Sequence, residues 1–290
     1  MEILGIRQPR SHGSARAAGV WLALCVLAAS PAAAQLNQTQ HTDGWVLAAA
    51  HAPGLQDSIW RTDLWIARDS GIGEVKLVFC ASGVDNTSAV EHSVEFPAAF
   101  QQVLYIEDVV EEYLGIGGGS WTGAIHYTST VPIQVWARVY SINAAGTASY
   151  GQLIEGIPTA DMSPDDDPWD FRQQQYLMAV KHTTDNRYRV NIGLVNPTTI
   201  AASYRIQAYG ADGNCPPAGC ASIEVTVPPL SMVQRTDPFA GWQGGEWSAV
   251  IIQVKCKTDG AGGFAYASVV DNATNDAFFV RGVKRMAPTG

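Results

Sequence analysis

The side chains able to do chemistry in this chain recur in pairs. Arg61 and Asp63, within Trp60-Arg61-Thr62-Asp63-Leu64, are matched by Arg189 and Asn191, within Tyr188-Arg189-Val190-Asn191-Ile192. At positions i and i+2 of a strand both side chains of a pair share one face. A guanidinium placed there can fork onto a carboxylate or phosphate, or it can tie the strand to its neighbour as cross-strand polar pairs ordinarily do. Recurrence in both copies favours the structural role. Trp65 lies on the face of Arg61 and Asp63, opposite Trp60, Leu64 and Ile66. With Trp136 it is the candidate for an exposed aromatic platform that stacks on a sugar, whereas core filling is the ordinary fate of a tryptophan.

Asp165, Asp166 and Asp167, flanked by Asp161 and Asp170, offer hard oxygen ligands for a calcium ion. Their spacing departs from the EF-hand loop, and a solvated acidic linker is the default reading. Cys215 and Cys220 enclose a Pro/Gly turn. In an oxidising compartment that spacing predicts a disulfide, and a zinc site would need two further ligands that no matching pair supplies. Cys80 and Cys256 either bridge the two copies or stay as buried thiols. The histidines form no His-x-x-x-His pair. The run Gly115-Ile116-Gly117-Gly118-Gly119-Ser120-Trp121 lacks both the Lys-Ser/Thr end of a phosphate loop and the second glycine of a nucleophile elbow, so it reads as a turn into a strand. No catalytic residue and no cofactor fold is expected.

These residues sit on short segments rich in Val, Ile, Tyr and Trp with apolar period two, such as Val75-Lys76-Leu77-Val78-Phe79 and Ser203-Tyr204-Arg205-Ile206-Gln207-Ala208-Tyr209, separated by Gly, Asn, Asp and Pro. That pattern predicts antiparallel strands in a sandwich. One exception, Ile106 to Leu114, has apolar residues at helical spacing and predicts a short helix.

Several anchors recur in order at an offset near 128 residues: the Trp60 and Tyr188 segments, Val94-Glu95-Phe96-Pro97 with Val225-Thr226-Val227-Pro228, Trp121-Thr122-Gly123 with Trp247-Ser248-Ala249, and Val135-Trp136-Ala137 with Ala265-Tyr266-Ala267. A repeat of that kind marks duplication. The expected division is a signal peptide at 1–34, a β-sandwich domain at 41–158, an acidic Pro-containing linker at 159–172 and a second β-sandwich domain at 173–285.

The first segment carries Arg7, Arg10 and Arg16, an apolar run through Val20 to Leu27, and Ala32-Ala33-Ala34, the three parts of a secretory signal. Its apolar run is short for a membrane span, and Leu24 before Cys25 argues against a lipoprotein signal. Localisation is therefore expected to be secreted, periplasmic or cell-surface, with no transmembrane segment after cleavage. With 18 basic against 27 acidic residues and a net charge of −9, nucleic acid is an unsuitable partner, because phosphate binding needs clustered Lys and Arg.

At Trp60-Arg61-Thr62-Asp63-Leu64, Asn191-Ile192-Gly193-Leu194-Val195-Asn196-Pro197 and Tyr266-Ala267-Ser268-Val269-Val270-Asp271-Asn272, the chain resembles a group of uncharacterised exported bacterial proteins built from tandem immunoglobulin-like modules. The resemblance spans about residues 45–283 and implies an all-β fold of two tandem immunoglobulin-like antiparallel β-sandwich domains after a signal peptide. It implies no activity, and the first copy departs from it with Ala67-Arg68-Asp69 where the second has Asn196-Pro197. The functional expectation is a non-enzymatic interaction or surface-structural protein whose partner is an extracellular protein or glycan; the alternative is a lectin-like module pair.

Overall fold

The period-two segments are strands throughout. A computed structural model describes residues 40–284 apart from 55–56, 70, 72, 97–101, 116–118, 148, 165–173, 184, 186, 211–213, 216–219, 240–246 and 275. The expected signal peptide and the proposed calcium ligands Asp165, Asp166 and Asp167 lie outside the described residues. Among the described residues no helix is long and apolar enough to cross a membrane.

The first half contains β1 (His41–Pro53), β2 (Ile59–Arg68), β3 (Glu74–Ala81), β4 (Glu91–Glu95), β5 (Val103–Ile106), β6 (Trp121–Ile142), β7 (Ser149–Glu155) and β8 (Ile157–Pro158). The second half contains β9 (Ser163–Pro164), β10 (Gln175–His182), β11 (Tyr188–Asn196), β12 (Ala202–Gly210), β13 (Ser222–Val227), β14 (Ser231–Thr236), β15 (Trp247–Cys256), β16 (Gly262–Asp271), β17 (Ala277–Arg281) and β18 (Val283–Lys284). All pairings are antiparallel. In the second half one sheet runs β13-β12-β15-β10-β18 and the other β14-β11-β16-β17. In the first half all eight strands join in one sheet whose pairings contain the same two orders, β4-β3-β6-β1-β8 and β5-β2-β6-β7, with β6 serving both layers and the end of β1 pairing with the start of β2 at Ala52–Pro53.

That difference comes from a few residues. The second half breaks the path between layers at Thr258-Asp259-Gly260, where Gly260 takes a left-handed φ of 72° that glycine adopts without a Cβ penalty. The first half carries Ser129-Thr130-Val131-Pro132 at the equivalent place and stays extended, 22 residues in one strand. Pro132, which has no ladder N–H to give, stands between the stretch paired with β3 and with β1 from Asp43 onward and the stretch paired with β2 and β7; across it only His41 of β1 pairs, with Ile133.

Inward-facing residues of both layers meet in a core. In the second half Leu177, Ile192, Leu194, Ile206, Val254 and Val269 belong to one buried cluster. In the first half Leu47, Leu64, Ile66, Leu77, Ile125 and Ile154 do the same. Val195, Met232, Phe264 and Tyr266 of the second half join the first half's cluster, so the centre of the outer face of sheet β14-β11-β16-β17 is covered by the first half, while Gln234 and Arg281 at its edges stay exposed. The backbone N–H of Gly83 donates to the Met232 carbonyl at 2.9 Å, that of Asn86 donates to the Pro229 carbonyl at 3.1 Å, and the Ser231 hydroxyl donates to the Ala81 carbonyl at 3.0 Å. Residues 40–290 accordingly form one compact unit.

The helix expected over Ile106 to Leu114 is reduced to one π turn, Val109–Tyr113. Ile106 pairs with Leu64 as the last residue of β5. Asp108 then takes a left-handed φ of 38°, and the turn it opens points Val109 and Val110 fully inward. The start of the expected linker is tied down: Ser163 and Pro164 pair with Gly263 and Gly262, and Asp161 meets Arg281 at 2.9 Å.

Candidate functional site

The best-developed candidate is the outer face of sheet β5-β2-β6-β7. Alternation along β2 turns Leu64 and Ile66 to the core and Arg61, Asp63, Trp65 and Ala67 outward. Register then sets Trp65 directly opposite Trp136 on β6 and Tyr105 on β5, and Glu155 of β7 lies beyond Trp136. The two sequence-predicted tryptophans are thus cross-strand neighbours, both half-buried. The Tyr105 ring stands 5.1 Å from that of Trp65 at 35°, within the range of favourable aromatic pairs. Around this row Val103 is 51%, Tyr105 48% and Leu153 65% exposed, an apolar density that isolated surface residues do not explain.

The polar end of the same face is built on Asp63. Its Oδ1 accepts from the Tyr140 hydroxyl at 3.1 Å and from the backbone N–H of Asp108 at 3.1 Å. The phenol of Tyr140 is consequently pushed up to about 12, first by burial and then by the Asp63 charge. Tyr105 is raised for the same two reasons. Arg138 lies over the Tyr140 ring at 4.4 Å and donates to the Ser149 hydroxyl at 2.9 Å.

Beside it Asp108 is buried, with one carboxylate oxygen 2.9 Å from His51 Nδ1 and 3.5 Å from Arg61 Nε. Its other oxygen, Oδ1, has no hydrogen-bond partner. Burial pushes the Asp108 carboxyl up, against the lowering pull of the His51 hydrogen bond and the Arg61 charge. His51 Nε2 faces Glu111 at 3.3 Å. The ligating atoms of His51, Asp108 and Glu111 lie within 4.8 Å of one another, which would suit a small divalent cation by distance alone. The chemistry fits poorly: each imidazole nitrogen already faces a carboxylate, and Arg61 brings a positive charge to the same oxygen. The cluster instead offsets the cost of a buried carboxylate with the Arg61 guanidinium and a hydrogen bond to the His51 imidazole.

The remaining expectations divide as follows. Arg61 Nε lies 3.5 Å from Asp108, and Asp63 accepts from the Tyr140 hydroxyl. Arg189 donates to Asn272 at 2.9 Å. Trp60 packs against the core. Cys215 and Cys220 form a disulfide with Cα atoms 4.7 Å apart. Cys80 and Cys256 are both buried, and burial pushes the Cys80 thiol up to about 12, which makes it a poor nucleophile. His126 stacks on Trp45 at 4.6 Å as a strand-face residue.

Sequence reasoning missed Tyr105, Asp108 and Glu111. Its one available signal was the acid that follows β5 and β14 alike: Asp108 and Asp237 both adopt left-handed φ, 38° and 41°. Compared with protein-family models and with curated proteins, the chain matches none.

Proposed function

We propose that this chain is an exported, non-enzymatic interaction or surface-structural protein, built of two immunoglobulin-like β-sandwich modules, whose first module holds a partner protein on its outer sheet face. One observation carries the reading. The centre of the equivalent face of the second half, at Val195, Phe264 and Tyr266, is buried against the first half, so this type of sheet face already acts as a protein-docking surface within the molecule. In the first half it is open, and its central row is aromatic. Aromatic residues and Arg are enriched at the centres of interfaces, and here Arg138 flanks Trp65, Trp136 and Tyr105. Export rests on the basic, apolar and Ala-rich parts of residues 1–34, and a disulfide is compatible with an oxidising compartment.

The row of three rings also favours a second reading, a glycan-binding platform on the same face. A photo-crosslinking amino acid at position 65, compared with one at exposed Val90 as control, tests the first reading in the protein's native compartment. Protein adducts at position 65 well above those at position 90 support it, and equal yields remove it. A glycan array, with and without Ca²⁺, tests the second reading: saturable binding abolished by Trp65→Ala moves the face to carbohydrate recognition, and silence under both conditions ends that idea.

A further inference from the structure

A second site lies away from this face, where the two halves meet. Ala48, Ala49, Ala50 and Ala52 of β1 line a cleft of about 240 Å³. Small side chains at those positions leave the space open. Trp60, Met232 and Tyr266 provide apolar walls, and Arg189, Asn191, Gln152, Gln234 and Ser268 provide polar ones.

The polar lining has donors to spare. Asn191 is only 8% exposed, and among the described residues its side chain makes no hydrogen bond although a buried amide ordinarily has partners. Gln234 and Gln152 each accept one hydrogen bond through Oε1, from Tyr266 and Ser268, which leaves both NH₂ groups for an occupant. Arg189 uses Nη1 on Asn272 and keeps its other guanidinium donors. Among the described residues no Asp or Glu lines the cleft, although acids outnumber bases 27 to 18 in the chain. The cleft is therefore a donor-rich, locally positive pocket in an acidic protein.

We infer that this cleft binds a small hydroxylated carboxylate of sugar-acid size. The guanidinium of Arg189 takes the carboxylate, in the charge-assisted geometry that favours Arg over other donors. Asn191, Gln152 and Gln234 take hydroxyl oxygens, and Trp60 offers an apolar ring to the carbon skeleton. Size sets the upper limit: drug-sized ligands occupy clefts of about 300–1,000 Å³, and this one, at about 240 Å³, takes a single sugar-sized unit.

The test is titration of the purified protein with D-glucuronate and D-galacturonate, followed by calorimetry and by tryptophan fluorescence. D-glucose and acetate are the controls that keep the hydroxyls or the charge alone. Saturable binding of a uronate, with both controls at least about tenfold weaker, is expected. Arg189→Met should weaken uronate binding about tenfold to a hundredfold, the loss of a charged hydrogen-bond pair, and leave the weak response to glucose unchanged. Asn191→Asp keeps the side chain's shape, so a folded variant with an acid in the cleft should also lose uronate binding. Equal affinity for glucose and glucuronate, unchanged uronate affinity in both variants, or no saturation by either uronate would overturn the assignment.

Discussion

Across the outer sheet of the first half one row reads Tyr105, Trp65, Trp136 and Glu155; across that of the second the same row reads Gln234, Gly193, Tyr266 and Arg281. The backbone frame is shared and the outcome is opposite. A Cβ on Gly193 would lie 1.9 Å from the Tyr266 ring, so the missing side chain lets that ring lie down over β11. Flattened, Tyr266 is fully buried, donates to Gln234 at 2.9 Å and stacks on Phe279 at 5.1 Å. Trp65 instead stands beside Trp136 and raises the surface. At this one position, Trp65 in β2 and Gly193 in β11, the face that closes at its centre on the other half differs from the face that remains open.

That contrast can be broken most severely at its two aromatic counterparts. Tyr266→Ala removes a fully buried ring from the junction of the halves and should cost about 3–5 kcal/mol, whereas Trp136→Ala, at the equivalent but half-exposed site, should cost about 1 kcal/mol. Urea unfolding of both variants measures the difference, and equal losses would show that the first half's face is as closed as the second's.

The next effect is smaller. Gly193→Ala forces Tyr266 to shift, and overpacking of this kind costs about 1–3 kcal/mol. The same denaturation experiment, with hydrogen exchange at β14 and β16, should show loosening at the junction. An unperturbed midpoint would mean that Tyr266 has room to spare.

The finest probe makes the first half resemble the second at Asp63, whose counterpart is Asn191. Asp63→Asn keeps the oxygen that accepts from Tyr140 and Asp108 while removing the charge. The folded phenol of Tyr140, at about 12, lies above its unfolded value of about 10. The folded state therefore holds that proton more tightly: its stabilising contribution is complete below about pH 10 and is lost as pH rises through the folded value. In Asp63→Asn the phenol should titrate lower and the alkaline loss of stability should be shallower. Absorbance at 295 nm and unfolding midpoints at several alkaline pH values follow both quantities, and parallel curves for parent and variant would remove Asp63 from the account.

Much of this could be read from residue order. Period-two apolarity marks the strands, the spaced anchors mark the repeat, and alternation around Trp65 puts that ring on the opposite face from Leu64. The disulfide of Cys215 and Cys220 follows from their spacing around a Pro/Gly turn together with the expected oxidising compartment. What escaped depends on contacts distant in the chain. Asp108 acquires its role from His51, 57 residues earlier, and Asp63, 45 residues earlier, which no local pattern encodes. The burial of the second half's outer face was hinted at by Gly193 standing where the first copy has Trp65. A glycine inside a strand is a sign of close approach, but the approaching group, Tyr266, is 73 residues away in the sequence. The helical spacing of Ile106, Val109 and Val110 misled because pairing of β5 with β2 claims Ile106 first.

The unbroken course of β6 has a mechanical meaning. At about 3.4 Å per residue its 22 residues make a rod ~75 Å in contour that is hydrogen-bonded into both layers of the first half. Tension applied along it must shear the pairings with β1 and β3 together with those of β2 and β7, because neither layer can slide without dragging the common strand. Among the described residues of the second half, whose layers are joined through the turn at Gly260, no strand is shared by both layers. Under load from outside, the end of the molecule that carries the open face is the stiffer one.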